Sequence, residues 1–206
     1  MPKRFQCRLV PLEEVHDLSH RLALEIRGSR FEPDLVVAVA RGGFVPARLL
    51  CDFLGQHELR SVQIRHYGSG ARREGPARIV AGLEGEVVGR RVLVVDDVND
   101  TGETVAEVRR HLMERGASDS RIGVLHEKAG SSQKADYRVE GLREWEWLVY
   151  AWAVTEDVSG FLEQMTPQPM RLEEAADRLR SEYGLELSEG HWRKLEALGL
   201  FAPPPS

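Results

Sequence analysis

Apolar residues fall at Leu12, Val15, Leu18, Leu22 and Ile26, a helical spacing that predicts an amphipathic helix over Pro11–Arg27 with Gly28 as a left-handed terminator. The run Leu35-Val-Val-Ala-Val-Ala40 is continuous and β-branched, as in a strand covered on both faces. A glycine turn, Arg41-Gly42-Gly43, leads from it into a second helix ending at Gly55. The order repeats with a strand at Arg91–Val95, a polar turn and a helix from about Glu103 to Arg115 closed by Gly116. Ile122–His126 reads as a further strand. Strands alternating with helices predict an α/β fold, a doubly wound parallel sheet.

Between the strand ending near Arg65 and the one starting at Val92, glycines at 68, 70, 75, 82, 85 and 89 surround Arg72, Arg73 and Arg78. This stretch reads as a mobile loop above the sheet. Its arginines could meet an anion or simply be solvated.

The composition changes after Glu156. Residues 157–206 hold nine acids and five bases, a net charge of −4. Leu172, Ala175, Ala176 and Leu179, then Trp192, Leu195 and Leu198, form two short helical stripes around Gly184 and Gly190. We therefore expect one domain over residues 1–156 and a small, acidic helical C-terminal appendage over 157–206. An acidic two-helix unit would repel phosphates, and the whole chain carries a net charge of −5, so no nucleic-acid partner is expected. The longest apolar run, Trp147–Val154, has eight residues where a membrane-crossing helix needs roughly 20. Met1–Val10 lacks the apolar stretch of an export signal. Cys7 and Cys51 lie in different predicted elements without metal-ligand spacing, so a reduced, cytoplasmic setting without zinc is expected.

The chemistry concentrates in Val92-Leu-Val-Val-Asp96-Asp97-Val-Asn-Asp100-Thr101-Gly102-Glu103-Thr104. A buried strand delivers Asp96 and Asp97 to its C-terminal edge, where open α/β sheets bind ligands. The following turn opens a helix whose unpaired N–H groups and positive dipole end suit a phosphate, with the Thr101 and Thr104 hydroxyls beside it. Carboxylates beside a phosphate imply a bridging Mg²⁺ or sugar hydroxyls. The alternative is a hairpin with acidic capping residues, and Asp100 alone is equally a helix cap.

This pattern resembles the type I phosphoribosyltransferase family, and within it the 6-oxopurine branch that acts on xanthine, guanine and hypoxanthine. The resemblance covers about residues 10–156. It implies transfer of the phosphoribosyl group of 5-phosphoribosyl diphosphate (PRPP) to a purine nitrogen, with Mg²⁺ as cofactor. Asp96 and Asp97 would face the ribose hydroxyls and the metal, and Asp100, Thr101, Gly102, Glu103 and Thr104 would hold the 5′-phosphate. Asp100 would also take the proton from purine N7, a role that fits a carboxylate near a cationic transition state. Arg41, Gly42 and Gly43 resemble the pyrophosphate loop, in which the peptide before Arg-Gly is often cis. Lys128 would donate to the 6-oxo group, Trp147 would stack on the ring and Leu148 would offer backbone groups to its edge.

The chain departs from the branch in two places. Ala151-Trp152-Ala153 stands where relatives have Pro and then an acid, which bears on contacts to the purine 2-position. His66-Tyr67 stands where many carry Ser-Tyr. A non-catalytic PRPP sensor on the same fold is the competing function, and a homo-oligomer, as a dimer, is expected.

Overall fold

The computed structural model describes residues 5–68 and 72–200, without the side chains at 66–68 and 72–74. The expectations for the side chains of His66, Tyr67, Arg72 and Arg73 thus lie outside what is described. In chain order the elements begin with β1 (Cys7–Val10), α1 (Leu12–Gly28), β2 (Leu35–Ala40), α2 (Phe44–Leu54), β3 (Leu59–Gly68) and β4 (Arg72–Ala81). They continue with β5 (Arg91–Asn99), α3 (Glu103–Glu114), β6 (Asp119–Lys128), β7 (Tyr137–Leu142) and β8 (Trp147–Tyr150). Helices α4 (Val154–Glu163) and α5 (Leu172–Arg178), a π-helical turn at Leu179–Tyr183, and α6 (Glu189–Ala197) complete them.

The described chain forms two compact units. One holds Glu13–His66 and Glu74–Trp145. Its sheet runs β4-β3-β2-β5-β6-β7, with β2 parallel to both β3 and β5, β5 parallel to β6, and β6 parallel to β7. From β2 the chain builds outward on one side, and from β5 on the other. The C-terminal ends of β2 and β5 therefore flank the point where the strand order reverses, the crevice in which open α/β sheets bind ligands. Leu35, Val37, Val92, Val94, Ile122 and Val124 form a core with Val105, Val108 and Leu112 of α3. Strand alternation turns Gly123 to the opposite face, and Leu22 of α1 lies against it. Helices thus cover both faces, as the continuous apolar strands predicted.

Three expectations need correction. Gly28 is the last residue of α1, and the left-handed residue is Arg30 (φ 62°). Ser29 ends the helix instead, its N–H bonding the Glu25 carbonyl at 3.1 Å and its hydroxyl the Ile26 carbonyl at 2.7 Å. The expected loop after Arg65 contains β4. Only three residues separate it from β3, too few for a parallel crossover, so the two form an antiparallel hairpin. Within β4, Ile79 packs toward the core while Pro76 and Arg78 are exposed, and Pro76 is tolerated because β4 is an edge strand.

The third correction concerns the tail. The second unit joins residues up to Leu12 and Tyr67–Arg73 with those from Glu146 on, so the C-terminal division falls after Trp145 rather than after Glu156. β1 and β8 pair in parallel, from Cys7 opposite Trp147 to Val10 opposite Tyr150. Cys7 and Val149 are buried in one cluster with Phe161, Met165, Leu179, Tyr183, Trp192 and Leu195. Phe5 meets Phe161 and Tyr183 edge-on, at centroid distances of 5.7 and 5.0 Å. The tail is helical as expected, but it is the other half of a core begun by β1 and β8. Leu172, Ala175, Ala176 and Leu179 of the first stripe and Trp192 and Leu195 of the second pack into this cluster, while Leu198 stays exposed.

Candidate active site

Two loops leave the sheet side by side at the switch point. The register sets Ala38 opposite Val95, so the turn after Ala40 lies against Asp97. The Ala40–Arg41 peptide is cis. A Cβ on Gly42 would collide with the Asp97 carboxylate, with Oδ1 at 2.6 Å, and one on Gly43 would strike the Val39 carbonyl oxygen at 2.7 Å. Both glycines are required because backbone approaches backbone and carboxylate too closely for any side chain. Arg41 is exposed beside them.

Asp96 and Asp97 are half-buried at the end of β5. The Asp97 N–H donates to Asp96 Oδ1 at 3.0 Å, and the Val98 N–H to Asp97 Oδ1 at 2.8 Å. Loss of water pushes Asp96 well above the usual carboxylate range, and the Asp97 charge adds to it. Loss of water likewise raises Asp97, to about 6, although hydrogen bonds and the Lys128 ammonium oppose it. A carboxylate pair held at this electrostatic cost fits a hard divalent cation or ribose hydroxyls, and its all-oxygen donor set suits Mg²⁺.

Behind the pair, the turn at 100–102 is braced from β6 and the segment that follows it. Gly102 has φ 88°, and a Cβ there would sit 2.9 Å from Ser132 Oγ and 3.0 Å from Ser132 N. Ser132 holds the Thr101 carbonyl twice, from its N–H at 2.9 Å and from its hydroxyl at 2.8 Å. Thr101 Oγ1 accepts from the Glu103 N–H at 3.3 Å. The Glu103 carboxylate, expected near the phosphate, accepts the Ala77 N–H of β4 at 3.0 Å and so ties the hairpin to the first turn of α3. Thr104 follows in that turn, half-buried.

The sequence reading missed Glu127, a buried acid that organises this brace. Its Oε2 accepts from Asn99 Nδ2 at 3.0 Å and from the Ala135 N–H at 2.8 Å, while Arg138 lies 3.3 Å from its Oε1. Asn99 Nδ2 also donates to the Gln133 carbonyl at 2.8 Å. The available signal was a polar residue at the end of an apolar strand.

The ladder pairs Asn99 with Glu127, and the next step brings Asp100 to Lys128. Lys128 Nζ lies 3.0 Å from Asp100 Oδ2, with both side chains largely buried. Trp145 Nε1 donates to Asp100 Oδ1 at 3.3 Å, and Lys128 Nζ stands 4.3 Å from the Trp145 ring centroid. Trp145 was not foreseen, although an aromatic between Glu144 and Glu146 outside any apolar run is a usable signal. Trp147 and Leu148 belong to the other unit. There Leu148 is buried and Trp147, half-buried, packs against the tail cluster. In the same unit Tyr150 and Trp152 stack at 4.8 Å.

Residues 11–158 match the phosphoribosyl transferase domain family. Over 111 residues the chain is 32% identical to a hypoxanthine-guanine phosphoribosyltransferase of Aquifex aeolicus, a match covering 51% of this chain and 61% of that protein. It is 27% identical over 140 residues to a xanthine-guanine phosphoribosyltransferase of Desulfotalea psychrophila, covering 68% of this chain and 82% of that one. Among solved structures, a purine phosphoribosyltransferase from Pyrococcus horikoshii superposes with a TM-score of 0.62 at 30% identity, covering 71% of this chain and 93% of that one.

Proposed function

The chain belongs to the phosphoribosyl transferase family, and from that premise we propose that it is a purine salvage enzyme. It transfers the 5-phosphoribosyl group of PRPP to a 6-oxopurine, hypoxanthine, guanine or xanthine, and releases pyrophosphate. The names of its relatives support the substrate class.

The observation that carries the reading is the Asp100–Lys128 pair at 3.0 Å. A 6-oxopurine presents an N7 proton and an O6 acceptor on one edge, and a carboxylate beside an ammonium is the complement of that edge. Adenine offers an amino donor at the 6-position, which a lysine cannot accept. As N9 bonds to C1 of the ribose and the bond from C1 to pyrophosphate breaks, Asp100 takes the N7 proton and its charge steadies the cationic sugar. The turn at Asp100–Thr104 holds the 5′-phosphate, and Arg41 with the backbone of Gly42 and Gly43 receives the pyrophosphate. Asp96 and Asp97 hold the ribose hydroxyls and Mg²⁺. The ion supplies charge neutralisation for the diphosphate when bound. From the resemblance, Trp147 supplies a stacking ring and Leu148 the backbone contact to the base edge.

Asp100→Asn tests the proton transfer. It keeps size and much of the turn's hydrogen bonding but removes basicity, so kcat should fall by roughly 10²- to 10⁴-fold with KM for PRPP nearly unchanged. Asn caps a helix about as well as Asp, so a steady-state loss smaller than about fivefold would mean that Asp100 only shapes the turn.

A further inference from the structure

We propose that Trp145 occupies the base's place on Asp100 and is displaced when the purine binds, which makes it a residue that sets base affinity rather than turnover. This rests on the reading of Asp100 as the acceptor of the purine N7 proton. Both oxygens of Asp100 accept hydrogen bonds, Oδ2 from Lys128 at 3.0 Å and Oδ1 from Trp145 at 3.3 Å. The two donors differ in how they are held. Lys128 ends a central strand and is almost wholly buried, whereas Trp145 lies between β7 and β8 and is 48% exposed. The indole is therefore the donor that can leave.

It is also the donor that resembles the substrate. An indole N–H and the N7–H of a purine are both ring N–H groups of a planar aromatic bicycle, offered edge-on to a carboxylate. The Trp145 ring further lies 4.3 Å from the Lys128 ammonium, the group assigned to the purine's 6-oxo edge. One side chain thus touches both groups that the base needs. A base must break the Trp145 bond to bind, and its apparent affinity falls by the fraction of molecules in which that bond is open.

Trp145→Phe keeps a ring near Lys128 but removes the N–H. With hypoxanthine or guanine as the varied substrate, KM for the base should fall about three- to tenfold while kcat stays within twofold, because a hydrogen bond to a charged group at a half-exposed site no longer competes. In the unaltered protein, saturation with hypoxanthine in the presence of Mg²⁺ and pyrophosphate should shift tryptophan emission by more than in Trp145→Phe, where stacking on Trp147 alone contributes, and a shift of equal size in both proteins would count against displacement of Trp145. A KM that is unchanged or raised, a loss confined to kcat, or an emission insensitive to base would each overturn the proposal. Failure of the Asp100 reading is distinguishable, because it leaves the turnover of Asp100→Asn nearly normal, whereas failure of this proposal alone keeps that loss of turnover and leaves the base KM of Trp145→Phe unlowered.

Discussion

Asp97 illustrates how a single side chain is kept in a state that folding alone would not choose. Its carboxyl is raised to about 6, chiefly by loss of water. An acid with a raised folded pKa ionises more readily in the unfolded chain. Its penalty is absent below about pH 4, grows as pH rises, and is complete above about 6. In metal-free buffer at pH 7, Asp97→Asn should therefore stabilise the protein by about 1 kcal/mol, or roughly 2–4 °C in Tm for a chain this size. The gain should vanish near pH 4. Thermal melts across that range check it, and a lower Tm for the variant at pH 7 would contradict the origin assigned to the shift. Asp96, Asp97 and Asp100 were legible as an acidic group at a strand end. Trp145 and Glu127 were not, because a tryptophan between acids and an acid in a strand read first as surface positions; only the register of β5 with β6 makes Glu127 a brace.

Among elements, the strongest sequence signals were the buried parallel strands. Leu35–Ala40 stands as expected, and β5 and β6 extend the expected runs to Asn99 and to Asp119–Lys128. Such runs announce themselves because both faces are covered, which removes the polar alternation. β4 and β7 escaped notice for the opposite reason: both are edge strands of mixed polarity. The turn before α3 depends on Gly102, whose φ of 88° and approach to Ser132 exclude a side chain. Gly102→Ala adds the roughly 1–2 kcal/mol of a left-handed alanine to a collision with the 129–135 segment. We expect a Tm lower by several degrees and PRPP binding weakened at least tenfold in calorimetric titration. An unchanged melt and titration would show that the turn relaxes without loss.

For the molecule as a whole, the chain order misleads about organisation. The shift in charge after Glu156 pointed to an appendage, yet Phe5, Cys7 and Val149 share a core with Phe161, Tyr183 and Trp192. A linear reading cannot see this, because β1 and β8 lie more than 130 residues apart in the chain and each is only four residues long. Among the described residues no helix is long and apolar enough to cross a membrane. At this scale the Asp100–Lys128 pair, beside a phosphate turn, should select a 6-oxopurine for transfer from PRPP. The most direct measurement follows pyrophosphate release from PRPP and Mg²⁺ with hypoxanthine, guanine, xanthine and adenine in turn. The account predicts turnover with at least one of the three 6-oxopurines and at least 100-fold lower kcat/KM with adenine. Equal or better turnover with adenine, or PRPP binding without turnover of any base, would contradict it.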